Sequence, residues 1–121
     1  MAQNIMKMKK SLKGRRLDEL IYHLKKSQSH KEASIYAIKK AEEYYKAGSI
    51  VEALEMDKEA IEQAVLSKDH TRQIITYQKA GNRCLKEGML SKGNEYFKDS
   101  LIIAKSIDNH KVILVTLNKI A

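Results

Sequence analysis

The sequence predicts an all-α protein made of stacked antiparallel helical hairpins, and three observations predict it. Its 121 residues contain no proline and five glycines, and they are rich in Lys, Glu, Ala, Leu and Ile, which lose little on entering a helix. The chain also resembles itself at an offset of 40 residues: Tyr45-Lys46-Ala47-Gly48 falls on Leu85-Lys86-Glu87-Gly88, Ala60-Ile61 on Ser100-Leu101, and Asp69-His70 on Asn109-His110. At the same offset Ala37 falls on Tyr77, Ala41 on Gly81 and Ala64 on Ala104. Such a period is what stacked helix pairs leave in a sequence. Finally, Gly48 and Gly88 stand mid-unit, where a left-handed residue ends one helix and lets the next turn back.

Each unit divides into two helices, Glu32 to Lys46 and Ile50 to Ser67 in the first, Thr71 to Lys86 and Leu90 to Ile107 in the second. Ile35, Ile38, Ala41 and Tyr45 follow helical spacing, as do Leu54, Ala60, Ile61 and Ala64, so each helix carries an apolar stripe. The short link forces each pair antiparallel.

The length is that of one domain. We divide residues 1–121 into a basic half-hairpin or cap (1–30), repeat 1 (31–68), repeat 2 (69–108) and the first helix of a truncated third repeat (109–121). Leu17, Leu20, Ile21 and Leu24 fit apolar second-helix positions, while Leu117 and Ala121 fall where a third unit would have Tyr77 and Gly81. The chain thus reads as stopping in mid-helix, the N-terminal piece of a longer protein. Two full hairpins with a half at each end approach the ~3 repeats a stable stack needs.

The net charge of +8 is concentrated at one end: residues 1–31 hold nine bases against two acids, leaving 14 bases and 13 acids for the rest. The basic arm, Lys7, Lys9, Lys10, Lys13, Arg15 and Arg16, suits nucleic acid, an acidic protein or an import receptor, or simply a solvated helix. No aromatic residues alternate with its lysines, which weighs against single-strand stacking. The longest apolar stretch, Val112 to Leu117, is far below the ~18 residues that cross a membrane, and nothing near Met1 resembles a signal peptide. With Cys84 as the single cysteine, no intrachain disulfide forms, which fits a reducing intracellular compartment, nuclear or cytoplasmic. Val112, Ile113, Leu114, Val115 and Ile120 would leave an apolar helix open to self-association through 112–120.

The pattern resembles the tetratricopeptide repeat. That family places a small residue in the middle of its first helix (Ala41, Gly81), an aromatic or apolar residue three later (Tyr44, Cys84) and a glycine at the turn (Gly48, Gly88). Small residues follow in the second helix (Ala53, Gly93; Ala60, Ser100), letting helices approach to about 8–10 Å. The most specific match runs from Ala80-Gly81-Asn82 through Glu87-Gly88 to Tyr96-Phe97. The chain departs from the family at Asp57, where an aromatic is expected and where Phe97 stands in the second unit. The closing proline is also absent, and about six added residues, Lys68 to Gln73, stretch the repeat from the usual ~34 to 40. The resemblance implies a right-handed α-solenoid that holds other proteins and needs no cofactor. Its first helices would line a concave groove, here Ile38, Glu42, Tyr45 and Lys46, then Gln78, Asn82, Leu85 and Lys86. Asn82 would pair with a peptide backbone, and Lys46 and Lys86 with acidic side chains. Ile38 and Glu42 occupy the positions where chaperone-tail receptors of the family carry a basic residue and an asparagine, which disfavours that role.

Within the long-repeat members, Glu52-Ala53-Leu54-Glu55 and Leu101-Ile102-Ile103-Ala104-Lys105-Ser106 through Asn109-His110 resemble the N-terminal repeats of Tonsoku-like proteins. LGN/Pins-type scaffolds share much of this wording. The first resemblance implies a nuclear scaffold in replication-fork repair and chromatin, with histone and repair-factor partners; the second implies a polarity or motor adaptor.

Nothing in the sequence assembles an active site, so no catalytic or metal residue is expected. Cys84 falls on an apolar helix position and reads as a small core residue. His30, His70 and His110 recur at the repeat offset, but on units about 8–10 Å apart they cannot converge on a zinc at ~2 Å. They read as residues near helix starts. The seven acids from Glu42 to Glu62 alternate with Lys46 and Lys58, as on a solvated surface.

Overall fold

The computed structural model of the protein describes residues 16–108 and 110–119, the side chains of residues 110–112, 115 and 118 excepted. These residues form helices and no strand. Helix α1 covers residues 16–26, followed by α2 (His30–Lys46), α3 (Ile50–Ser67), α4 (His70–Lys86), α5 (Leu90–Ser106) and α6 (His110–Lys119). The starts of α2, α4 and α6 return every 40 residues, as do those of α3 and α5. Expected and observed ends agree within two residues, the range over which helix ends fray.

Two kinds of turn alternate. Between α2 and α3, and between α4 and α5, Gly48 and Gly88 adopt φ of 82° and 76°. The amide of Ser49 then donates to the Tyr44 carbonyl at 2.9 Å, and that of Met89 to the Cys84 carbonyl at 2.8 Å, satisfying carbonyls that the helix end leaves free. In the other turns the left-handed residue is Gln28, Lys68 or Asp108, with φ of 61°, 59° and 55°. Of the stretch Lys68 to Gln73, read above as added length between units, only Lys68 and Asp69 lie outside helices. The remainder is the first turn of α4, where the Asp69 carboxylate accepts from the Arg72 amide at 2.8 Å.

Helix α2 packs on α3, α4 on α5, α3 on α4 and α5 on α6, and α2 also touches α4. Small buried residues allow the close approach: Ala33, Ala37 and Ala41 on α2, Ala53, Ala60 and Ala64 on α3, Gly81 and Gly93 across the α4/α5 pair. Helix α5 turns back on α4 so tightly that a Cβ on Gly93 would lie 2.9 Å from Leu85 and 3.2 Å from the Gly81 carbonyl. Ile21 brings α1 into one core cluster with Ala37, Ile38 and Ala60. A second cluster joins Ala80, Cys84 and Tyr96, flanked by Leu54, Ile61 and Tyr77.

Among the described residues, one ion pair between helices is buried on both sides. Asp57 of α3 and Arg83 of α4 are both buried, and the guanidinium donates to both carboxylate oxygens at 2.7 Å. Burial pushes the Asp57 carboxyl above its ordinary range while the facing guanidinium pulls it down, and burial is the larger effect.

Candidate binding face

Helices α2, α4 and α6 are joined side by side through polar side chains. Between α2 and α4, Ser34 meets Thr76 at 3.3 Å, Lys79 donates to Glu42 at 2.9 Å, and the Tyr45 hydroxyl donates to Glu87, in the turn after α4, at 2.9 Å. Between α4 and α6, Gln78 donates to Thr116 at 2.9 Å and Lys119 to Asn82 at 3.4 Å. Thr76 and Thr116, 40 residues apart, are both fully buried. A buried hydroxyl needs a partner, and here the neighbouring helix or the residue's own preceding turn supplies it.

Six of the eight groove residues expected from the sequence are polar or half-exposed along these helices; the other two are packing residues. Ile38 is 3% exposed, packed in one cluster with Ile21 of α1 and Ala60 of α3, so it offers no surface to a ligand. Leu85 is half-buried and closes on Gly93. Glu42, Tyr45, Gln78 and Asn82 are half-buried and already bonded across helices as described. Lys46 and Lys86 are exposed and have no ionic partner among the described residues. A surface depression of about 380 Å³ lies against α2, where Glu42 and Lys46 line it with Leu17, Tyr36, Lys39 and Glu43.

Sequence reasoning passed over the lysines at the heart of this face. Lys39, Lys79 and Lys119 recur at the 40-residue offset on α2, α4 and α6, as Lys46 and Lys86 do on α2 and α4. Lys39 lies 5.0 Å over the Tyr36 ring and Lys119 5.5 Å over that of Phe97, contacts in the cation–π range. Their equal spacing was the available signal. The bond to Glu87 raises the ordinary pKa of the Tyr45 hydroxyl, so it remains a donor.

Of the basic arm only Arg16 is described, exposed at the start of α1; Lys7, Lys9, Lys10, Lys13 and Arg15 lie outside the described residues. His30, His70 and His110 are the first residues of α2, α4 and α6, and His30 bonds Gln63 at 2.6 Å. No group of side chains suited to a metal occurs among the described residues, and none of their helices is long and apolar enough to cross a membrane. Cys84 is buried, and burial raises its thiol pKa, which suppresses the nucleophilic thiolate. Compared with protein-family models and with curated proteins, the chain matches none.

Proposed function

We propose that the chain is a non-catalytic scaffold of the tetratricopeptide-like kind, its helix pairs stacked as a right-handed solenoid, and that the α2, α4 and α6 face holds a segment of a partner protein. The row of lysines returning every 40 residues carries this reading. Lys39, Lys79 and Lys119 hold equivalent positions on successive first helices, and Lys46 and Lys86 a second set with no ionic partner among the described residues. Evenly spaced cations beside amide side chains suit an extended acidic segment. Within the Tonsoku-like or LGN-like alternatives implied by the sequence, these charges favour an acidic repair factor or adaptor tail over a basic histone tail. A partner identified by cross-linking should bind saturably to the purified chain. Lys86→Glu should weaken it about tenfold or more at low salt, and Asn82→Ala less. Affinity unmoved by either change would place the partner elsewhere.

A second reading, self-association, rests on α6. Leu114 and Leu117 are 65% and 49% exposed, although their equivalents 40 residues earlier are the buried Ile74 and half-buried Tyr77. Sedimentation velocity should then show concentration-dependent assembly that Leu117→Glu abolishes; a monomer at every concentration ends this reading.

A further inference from the structure

A separate pocket opens among α3, α4 and α5, sharing no residue with the face above. Its volume is about 230 Å³, and Leu54, Ala80, Cys84 and Tyr96 line it together with Lys58 and Lys92. Small-molecule sites run to roughly 300–1,000 Å³, so this one has room for a single bulky side chain and little more. Met89, 42% exposed, lines it as well and adds an apolar edge.

Two cations and one paired carboxylate line it. Asp57 also lines the pocket, but both of its oxygens are held by Arg83, which offsets its charge and leaves it no acceptor to offer a ligand. Lys92 lies 4.8 Å over the Tyr96 ring and reaches only a long, exposed contact of 3.4 Å with Glu95. Lys58 is exposed with no ionic partner among the described residues. An apolar hole beside two under-used cations selects a ligand with a large apolar group next to negative charge.

We infer that this pocket anchors one bulky apolar side chain, aromatic or leucine, from an acidic partner segment, with Lys58 and Lys92 engaging the flanking carboxylates. The site stands whether or not the α2, α4 and α6 face binds anything.

The test uses the full chain, isotopically labelled, and the probe peptide acetyl-Asp-Glu-Phe-Glu-Asp-amide, followed by amide chemical shifts. The peptide should give saturable shifts centred on residues 54, 58, 84, 92 and 96. Replacing its Phe by Ala should weaken binding roughly ten- to a hundredfold, the worth of one buried side chain. Because filling the pocket from inside risks misfolding, the protein variant is the surface pair Lys58→Glu with Lys92→Glu, expected to lower affinity about tenfold or more. Lys68→Glu with Lys105→Glu, exposed lysines outside both the pocket and the α2, α4 and α6 face, should leave the peptide affinity unchanged. The inference is overturned by no saturable shift at millimolar peptide, by equal binding of the Ala peptide, or by shifts centred on α2, α4 and α6. Pocket shifts that track protein concentration without peptide would name a second copy of the chain as the occupant and overturn it too.

Discussion

Residues 57 and 97 hold the same place in α3 and α5, 40 residues apart, and bury side chains of opposite chemistry. Phe97 is wholly buried and works by volume: a Cβ on Gly81 of the facing helix would lie 2.9 Å from its ring. Asp57, 1% exposed, works by charge, with both oxygens tied to Arg83. The residue equivalent to Gly81 is Ala41, and a Cβ at that place in the second unit would collide with the Phe97 ring. Two solutions to the same steric problem follow, Gly81 with Phe97 and Ala41 with Asp57. They differ in what they connect. Phe97 closes the α4/α5 pair on itself, whereas Asp57 ties the α2/α3 pair to α4 and makes its stability depend on a residue of the next unit.

The largest expected effects come from breaking each solution. Phe97→Ala should cost about 3–5 kcal/mol, as deletion of a buried ring does, at every pH. Arg83→Met should cost about 3–5 kcal/mol near neutral pH, because it leaves a buried carboxylate unpaired. Replacing both partners, Asp57→Leu with Arg83→Met, should restore stability to within about 1–2 kcal/mol or exceed the parent. Acid separates the two single variants. The Asp57 carboxyl is raised by burial above 3.8, so between 3.8 and its folded value the native state holds a proton that the unfolded chain lacks, and stability falls as pH rises through that window. Losing Arg83 removes the opposing pull and widens the window upward. Urea unfolding should therefore show the Arg83→Met deficit shrinking in mild acid while the Phe97→Ala deficit stays constant.

A middle-sized prediction asks whether the two solutions can be exchanged. Gly81→Ala should cost about 1–3 kcal/mol by forcing the Phe97 ring to move. Asp57→Phe should cost at least as much, since it meets Ala41 and strands Arg83. Combined with Ala41→Gly and Arg83→Met, the same Phe should recover most of the loss. Simple additivity among these changes in thermal unfolding would mean that positions 41 and 57 are not coupled as 81 and 97 are.

The part of this architecture that was legible in the sequence is the part written in local periodicity. The helix limits, Gly48 and Gly88 at their turns, and the alanine stripes follow from spacing and backbone preference. Contacts between distant residues were not legible. Asp57 stood out as a departure from the repeat, yet its partner lies 26 residues further along the chain, and nothing local to Arg83 announces it. Ile38 was placed on the candidate face because its own helix allows it; Ile21 of α1 and Ala60 of α3, distant in sequence, share the cluster that buries it. The bonds from Lys79 to Glu42 and from Gln78 to Thr116 likewise depend on which helices become neighbours. Sequence reading found Lys46 and Lys86 on this face and passed over Lys79 and Lys119.

Helix starts extend the comparison on a smaller scale. Ser29 and Asp69 are equivalent N-cap residues, but only Asp69 makes a side-chain cap bond. Asp69→Ala should cost about 1 kcal/mol. The Arg72 amide and then Lys31 hold the Asp69 carboxyl below 3.8, so its contribution is present above 3.8 and is lost as pH falls through the lower folded value. The Asp69→Ala deficit should thus persist in mild acid, where that of Arg83→Met is already shrinking.

The smallest effect expected is at the turns. Gly48 and Lys68 both end a helix with φ near +60° to +80°, but only glycine does so without crowding its own Cβ. For other residues the left-handed backbone costs about 1–2 kcal/mol, while glycine loses roughly 0.5–1 kcal/mol more conformational freedom on folding. Lys68→Gly should therefore stabilise the chain by about 0.5–1 kcal/mol, the difference between these terms. Gly48→Ala should destabilise it by a similar amount. The exposed Lys68 side chain has no ionic partner among the described residues, so nothing there opposes the gain. A Lys68→Gly variant that unfolds at the same urea concentration as the parent would show that the two kinds of turn are energetically equivalent. The choice between Gly48 and Lys68 would then not come from backbone strain.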